Sequence, residues 1–339
     1  MRIFTNTHYD FIRWRWHALI LSALVILGGF GAIASRGGLP LGIDFSGGTI
    51  VVVKFAKATS EETVRTAIDT IPGEKVVQTY GDASQNEILI RLPQVQGQEQ
   101  GFQLEQGAKD ILAALKASNV GTFEVRSQEI VGPVIGADLQ RKGIYATLAS
   151  IFGIALYIAF RFRPSFAIGA IAATLHDVLV TVAFLVFFGY DLSLNIIAAI
   201  LTITGYSVND TIVIFDRVRE NQHTMRREPL DKIVNDSVNQ TLSRTIITAG
   251  TTFLAVLSLY LFGGEVLEGF AFTMLVGIIS GTYSTVFIAA AVAIILSKTS
   301  GKKAGAASAA VSTSAGTKPA PATGSKSAAG KGGRKARAS

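Results

Sequence analysis

Cysteine is missing from all 339 residues, which removes disulfide frameworks, thiolate-bound zinc, iron–sulfur clusters and thiol nucleophiles at once. Histidine is scarce: four scattered residues are too few for a histidine-rich metal site. Charge is scarce as well. Asp, Glu, Lys and Arg make up 16% of the chain, against about 25% in an ordinary soluble domain. Apolar residues make up 49%, and the mean hydropathy is +0.41. That balance argues against a plain soluble enzyme. The fingerprints G-x-x-x-x-G-K-[ST] and G-x-S-x-G occur nowhere. No catalytic constellation, cofactor site or metal site is expected.

The net charge of +7 is unevenly placed. From Lys298 to the end there are nine Lys/Arg and no Asp/Glu, and removing those nine from +7 leaves the rest of the chain at −2. A nucleic-acid role argued from pI 9.6 would therefore rest on the tail alone, and no specific nucleic-acid partner is implied. From Ser300 onward the tail is rich in Ala, Gly, Ser and Lys, with Pro319 and Pro321. Such a composition buries too little apolar surface to fold, so a solvated tether is expected, touching anionic lipid or RNA at most through charge.

What the chain has in abundance is long apolar runs. A helix crossing the hydrocarbon core needs about 20 mostly apolar residues. Six stretches qualify: His17–Ala34, Gly143–Phe160, Phe166–Phe188, Leu192–Phe215, Thr245–Phe262 and Phe270–Leu296. Orientation follows from Lys and Arg in the short links. Arg2, Arg13 and Arg15 precede the first span, Arg161 and Arg163 fill the second link of the bundle, and Arg217, Arg219, Arg226, Arg227, Lys232 and Arg244 follow span four. With six spans, all of these and the tail fall on one side, so both termini are expected in the cytoplasm. A competing reading takes the first span, with its basic start and Ala32-Ile33-Ala34, as a cleavable signal peptide, which would leave five spans.

Residues 36–138 are too polar to span and too long for a loop. They carry nine Lys/Arg and thirteen Asp/Glu, and a segment of that length translocates largely regardless of charge. Thr49–Phe55, Val76–Tyr80, Glu87–Leu92 and Thr122–Val131 read as strands. Thr59–Ile71 reads as a helix with Thr59 and Glu62 at capping-box spacing, and Gln103–Ala117 as a second helix. The order β-α-β-β-α-β predicts a ferredoxin-like α+β domain. The expected division is 1–35 for the N-terminus and first span, 36–138 for a periplasmic domain, 139–297 for spans two to six, and 298–339 for a basic cytoplasmic tail.

Ionisable groups at membrane depth are costly, roughly 2.5 to 3.5 kcal/mol each on insertion scales, and are functional candidates by default. Two acidic residues lie within the spans, Asp177 and Asp210. Asp210 sits in the cytoplasmic half of span four, near Tyr206, Ser207, Ile214 and Arg217 on its helix face. Arg244 opens span five at a similar depth, so the two can meet if those spans pack. A permanently charged Arg beside a desolvated Asp suits proton handling; a static ion pair or a headgroup-wetted Asp are the plainer readings. Asp177, next to His176 in the centre of span three, reads either as a relay or as a hydrogen-bond hub, and His176 as a packing residue. Asp216 and Arg217 end span four, where a charge pair is ordinary. Gly277 and Gly281 make a G-x-x-x-G spacing that suits tight helix packing.

Five pieces of sequence then carry a resemblance. Leu41-Gly42-Ile43-Asp44-Phe45-Ser46-Gly47-Gly48-Thr49 follows span one, and Leu175-His176-Asp177-Val178 lies in span three. The most specific piece runs Gly205-Tyr206-Ser207-Val208-Asn209-Asp210-Thr211 and on to Asn221. Leu261-Phe262-Gly263-Gly264-Glu265 to Phe270, and Val276-Gly277 to Ser284, complete the set. In that order they resemble the SecD/SecF family of bacterial protein-export membrane proteins, within the resistance–nodulation–division (RND) superfamily. The resemblance implies a polytopic α-helical protein of the cytoplasmic (inner) membrane, with six transmembrane helices in an RND-type half. It implies SecD as a heteromeric partner, the SecYEG channel and SecA motor nearby, and translocating unfolded polypeptide as cargo, driven by the proton gradient. It implies Asp210 and Arg244 as the proton-linked residues, with Asp177, Asn209, Asp216 and Arg217 as possible supporting polar residues. Gly42, Asp44, Gly47 and Gly48 mark the family motif at the start of the outer domain. An RND-type exporter of small molecules or lipids, and a non-catalytic membrane scaffold, are the alternatives.

Overall fold

The computed structural model describes residues 7–72, 75–81, 83–93 and 102–299. The tail read from residue 300 onward lies outside these, as do Arg2 and Asp82 of the turn between two expected strands. Six helices are long and apolar enough to cross a membrane: Ile12–Ser35, Ile135–Arg161, Pro164–Phe188, Leu194–Thr224, Leu230–Phe262 and Val266–Thr299. They match the six apolar runs, with several ends extended. Helix geometry satisfies every backbone N–H and C=O internally, which hydrocarbon demands of any spanning segment.

In chain order the elements are α1 (Arg15–Ser35), the one-turn α2 (Ile43–Ser46), β1 (Gly48–Phe55), α3 (Glu61–Ala67), β2 (Val76–Thr79), β3 (Glu87–Pro93), α4 (Phe102–Ala117) and β4 (Phe123–Val131). The remaining helices are α5 (Pro133–Arg161), α6 (Pro164–Phe188), α7 (Leu194–Thr224), α8 (Leu230–Phe262) and α9 (Glu265–Ser284). α9 runs into a π-helical turn, Thr285–Ala289. Pro133 and Pro164 stand at the first turns of α5 and α6, where a missing N–H costs nothing.

The sheet has the order β2-β3-β1-β4 with all neighbours antiparallel. This is the split βαβ, ferredoxin-like arrangement. Alternation along β1 turns Val51, Val53 and Phe55 into a core with Val64 and Ile68 around α3 and Ala108, Ile111 and Leu115 of α4. One local expectation is corrected. The cap of α3 is Ser60, whose Oγ accepts from Thr63 N at 3.3 Å, one residue later than the Thr59/Glu62 box. Thr59 is drawn back instead, its hydroxyl donating to Lys57 O at 3.1 Å. The helix also ends at Ala67, before Ile71.

In the bundle, α9 packs against α6, α7 and α8, while α1 lies on α6. The G-x-x-x-G spacing is used. A Cβ built at Gly277 would stand 2.9 Å from Ile203 Cβ, and one at Gly281 would stand 2.8 Å from Ser207 Cβ. α7 and α9 therefore touch almost backbone to backbone, the approach that small residues permit in a membrane. α1, α5 and α8 stay largely uncovered, with Leu24, Leu27, Phe152, Phe160, Leu254 and Phe262 exposed. At one end of the bundle the sheet domain docks beside the α6–α7 link. At the other, the segment before α1 is tied to α8: Asn235 and Asn239 Nδ2 both donate to Tyr9 O, at 2.9 and 2.8 Å.

Candidate functional site

Span four starts at Ser193, which caps it, its Oγ accepting from Ile196 N at 3.3 Å. Its buried face carries Ile203, Ser207, Asp210, Thr211 and Ile214. Asp210 is 4% exposed. Among the described residues no side chain donates a hydrogen bond to it, and no Lys or Arg forms an ion pair with it. Arg244, the cation the sequence paired with it, lies on the neighbouring α8. The sequence brought these two to facing helices, and the structure does so, but Arg244 lies on an exposed position and the pair is not in direct contact. α7 and α8 are joined instead by Tyr206 Oη, which donates to Thr252 Oγ1 at 3.3 Å. Thr248 and Thr251 donate to carbonyls of their own helix.

The other candidates on α7 separate. Asn209 is exposed. Asp216 accepts from Arg161 Nη2 at 2.6 Å, tying the end of α5 to α7. Arg217 donates to Glu220 at 2.6 Å and to Gln240 on α8. These last contacts brace the bundle end and do not reach Asp210.

Asp177 has the opposite environment to Asp210. It is 1% exposed and its two oxygens receive Ser280 Oγ at 2.9 Å, Ser207 Oγ at 2.6 Å and Ser284 Oγ at 2.8 Å. His176 Nδ1 lies 3.1 Å from Oδ1. Spans three, four and six thus converge on one carboxylate. His176, read from sequence as a packing residue, makes hydrogen bonds through both ring nitrogens; Nε2 meets Ser22 Oγ of span one at 2.8 Å. Sequence reading missed Ser22, Ser280 and the role of Tyr283. The available signal was a lone Ser in the apolar run Leu19–Leu27 and the Ser and Tyr at helical spacing in span six.

The glycine motif is the joint between the two halves of the fold. Gly42 N donates to Leu192 O at 2.7 Å and Leu192 N to Pro40 O at 2.7 Å, a short parallel bridge to the α6–α7 link. A Cβ at Gly42 would stand 2.9 Å from Leu192 O. Gly47 (φ 70°) and Gly48 (φ 131°) take backbone conformations that a Cβ resists, turning the chain from α2 into β1. Asp44 accepts from Leu194 N at 2.8 Å, adding a carboxylate to the start of α7. Arg91 of β3 pairs with Asp191 of the same link. Beside it Tyr190 Oη donates to Glu268 at 2.6 Å; burial and this carboxylate push the phenol pKa up from its ordinary value.

A family model described as protein export membrane protein SecD/SecF, C-terminal, matches residues 111–299, and the SecD/SecF GG motif matches residues 32–59. The chain belongs to the SecD/SecF family. Among curated SecD/SecF relatives, the protein translocase subunit SecF of Rhodothermus marinus is 41% identical over 87% of this chain and 96% of its own length. The protein translocase subunit SecF of Escherichia coli O157:H7 is 38% identical over 85% and 88%. Of solved structures, the translocon-associated membrane protein SecDF from Thermus shares 34% identity with a TM-score of 0.76, covering 86% of this chain. This chain spans only 39% of that SecDF protein. The GG match falls on the joint at Gly42–Gly48, and the SecD/SecF C-terminal match on the bundle that holds Asp177 and Asp210.

Proposed function

We propose that this chain is an accessory subunit of the Sec protein translocase that, as a heteromer with SecD, uses the proton gradient to promote export of polypeptides across the cytoplasmic membrane. It works beside the SecYEG channel and the SecA motor, as a transport subunit and not an enzyme. The observation that carries the proposal is Asp210. A carboxylate this buried is strongly disfavoured as an anion unless hydrogen-bonded or paired, yet no described residue bonds it directly, while a cation on the neighbouring helix biases it. Such a group is poised to take up and lose H⁺, and Arg244 senses the change. One charge moved through 100 mV supplies about 2.3 kcal/mol.

Both termini are placed in the cytoplasm on the positive-inside rule. Residues 36–138 are then the periplasmic domain, 139–297 the remaining spans, and 298–339 the cytoplasmic tail. The uncovered faces of α1, α5 and α8 supply surface for lipid and for the SecD half.

The test is gradient-dependent release of a secreted protein from the translocon in inverted vesicles. Asp210→Asn is expected to abolish the gradient-dependent part and Arg244→Ala to reduce it, with both variants still assembling. Unchanged release from both variants would refute the proton-coupled role and leave a scaffold.

A further inference from the structure

Four contacts run in series from span three to span one. Asp177 Oδ1 meets His176 Nδ1 at 3.1 Å, His176 Nε2 meets Ser22 Oγ at 2.8 Å, Ser22 Oγ meets Tyr283 Oη at 3.1 Å, and Tyr283 Oη meets Ala18 O at 2.6 Å. Each contact needs one hydrogen. A carbonyl only accepts, so the Tyr283 hydrogen goes to Ala18 O. Ser22 must then donate to Tyr283, and its single hydrogen is used. His176 Nε2 must therefore donate to Ser22. That leaves the Asp177–His176 contact, which requires a second hydrogen on the pair.

We infer that the His176–Asp177 pair is a membrane-embedded proton-binding site distinct from Asp210, and that the hydrogen-bonded arrangement seen here is its loaded state. The extra hydrogen is either on Nδ1, giving an imidazolium beside a carboxylate, or on the carboxyl with Nδ1 accepting. Both contain one proton more than a neutral imidazole beside an ionised carboxylate. The remaining donors to Asp177 are the hydroxyls of Ser207, Ser280 and Ser284; Ser284 also lies 3.2 Å from Gly281 O, and its single hydrogen goes to the nearer carboxylate at 2.8 Å.

Loss of the proton to water leaves three hydrogens for four contacts, so one link must open. The link most exposed to this runs to α1, which is tied to the core of the bundle at this depth by Ser22 and Ala18. A cavity of about 260 Å³ lies against the same residues, between Leu21 and Val25 of α1 and Val180 and Val276 of α6 and α9. It gives α1 room to shift when the tie is cut. Titratable neighbours are few. Tyr283 faces the pair from α9, and Asp210 lies one turn beyond Ser207 on α7. α1 presents Ser22, its own Arg15 and His17 lying nearer its start. Span six changes to π-helix directly after Ser284, and Thr285 there shares a 2.9 Å hydrogen bond with Thr211 of α7. Such π turns are frequent at functional sites.

This inference extends the proton-coupled reading, but its test is spectroscopic and stands apart. The full chain, purified with its SecD partner in lipid nanodiscs, is labelled with ¹⁵N-histidine, and the His176 signal is assigned by its loss in His176→Gln. Infrared difference spectra report the Asp177 carboxyl, assigned by Asp177→Asn. The expected result is a loaded pair at low pH that loses one proton as pH rises. Ser22→Ala, a small change that leaves the pair itself intact, should shift the His176 Nε2 signal by removing its partner while the Nδ1 signal and the Asp177 band persist. A neutral ring beside an ionised carboxylate at every pH overturns the inference, as does a pair that stays loaded throughout. The same titration in Asp210→Asn separates the two claims: a retained His176 transition supports an independent site whatever that variant does to protein release, and a transition abolished there shows that no second site exists.

Discussion

Gly277→Ala is the sharpest test of how the bundle is held. At that position a new Cβ falls within the van der Waals shell of Ile203 Cγ1 and 2.9 Å from its Cβ and Cγ2. Ile203 is 0% exposed, so it has nowhere to turn. Overpacking of this kind costs about 1 to 3 kcal/mol. The pair at Gly281 and Ser207 lies one turn further along and keeps the two helices from separating cheaply. Unfolding in mixed detergent micelles by SDS titration, followed by circular dichroism, should show a loss of about 2 kcal/mol for Gly277→Ala. Ile203→Ala alone should cost about 2 to 5 kcal/mol by leaving a cavity. The double variant should cost less than the sum, with a coupling of roughly 1 to 2 kcal/mol, because the new methyl fills part of that cavity. Gly250→Ala on α8, where an added Cβ meets nothing within 4 Å, is the control and should be neutral or gain up to about 1 kcal/mol from helix propensity. A Gly277→Ala protein as stable as the parent, with no coupling to Ile203, would refute close α7–α9 packing as the origin of the effect.

Other expectations concern the outer domain. Arg91→Gln removes the pairing to Asp191 and should loosen the joint at 40–48; amide exchange there should rise roughly fivefold, the equivalent of about 1 kcal/mol, with helix content unchanged. Glu61 takes hydrogen bonds from Thr79 Oγ1 and N, both at 2.7 Å, which hold its carboxyl below the usual range. A lowered folded value means the contribution is present above the unfolded value and is lost as pH falls through the folded one. Glu61→Gln should therefore lower sheet-domain stability near neutrality and flatten its acid dependence, read by thermal melts between about pH 3 and 7, a range that brackets the ordinary carboxylate value of about 4.

Much of this architecture was legible in the chain because its signals are local. Twenty apolar residues in a row say membrane without help from any neighbour, and the alternation from Thr49 to Phe55 says strand. The strand order was legible too, since the β-α-β-β-α-β pattern has few closed solutions. Ser60 rather than Thr59 as a cap was not, because both residues are good caps and the choice depends on where Lys57 O accepts.

Sequence by itself determined the six spans, the sheet domain between the first two, and Asp177 and Asp210 as the acidic residues within the apolar runs. Each follows from composition read along a single stretch. Tertiary structure alone decided what Asp177 and its neighbour His176 meet. Ser22, Ser207, Ser280 and Ser284 come from three helices up to 262 positions apart, and ordinary hydroxyls carry no signal of a shared partner until packing brings them within 3 Å of one another's acceptors. It also decided that Arg244 stands off from Asp210 while Arg161 grips Asp216. Hydrogen bonds act over a single contact distance, and only the packed helices set those distances.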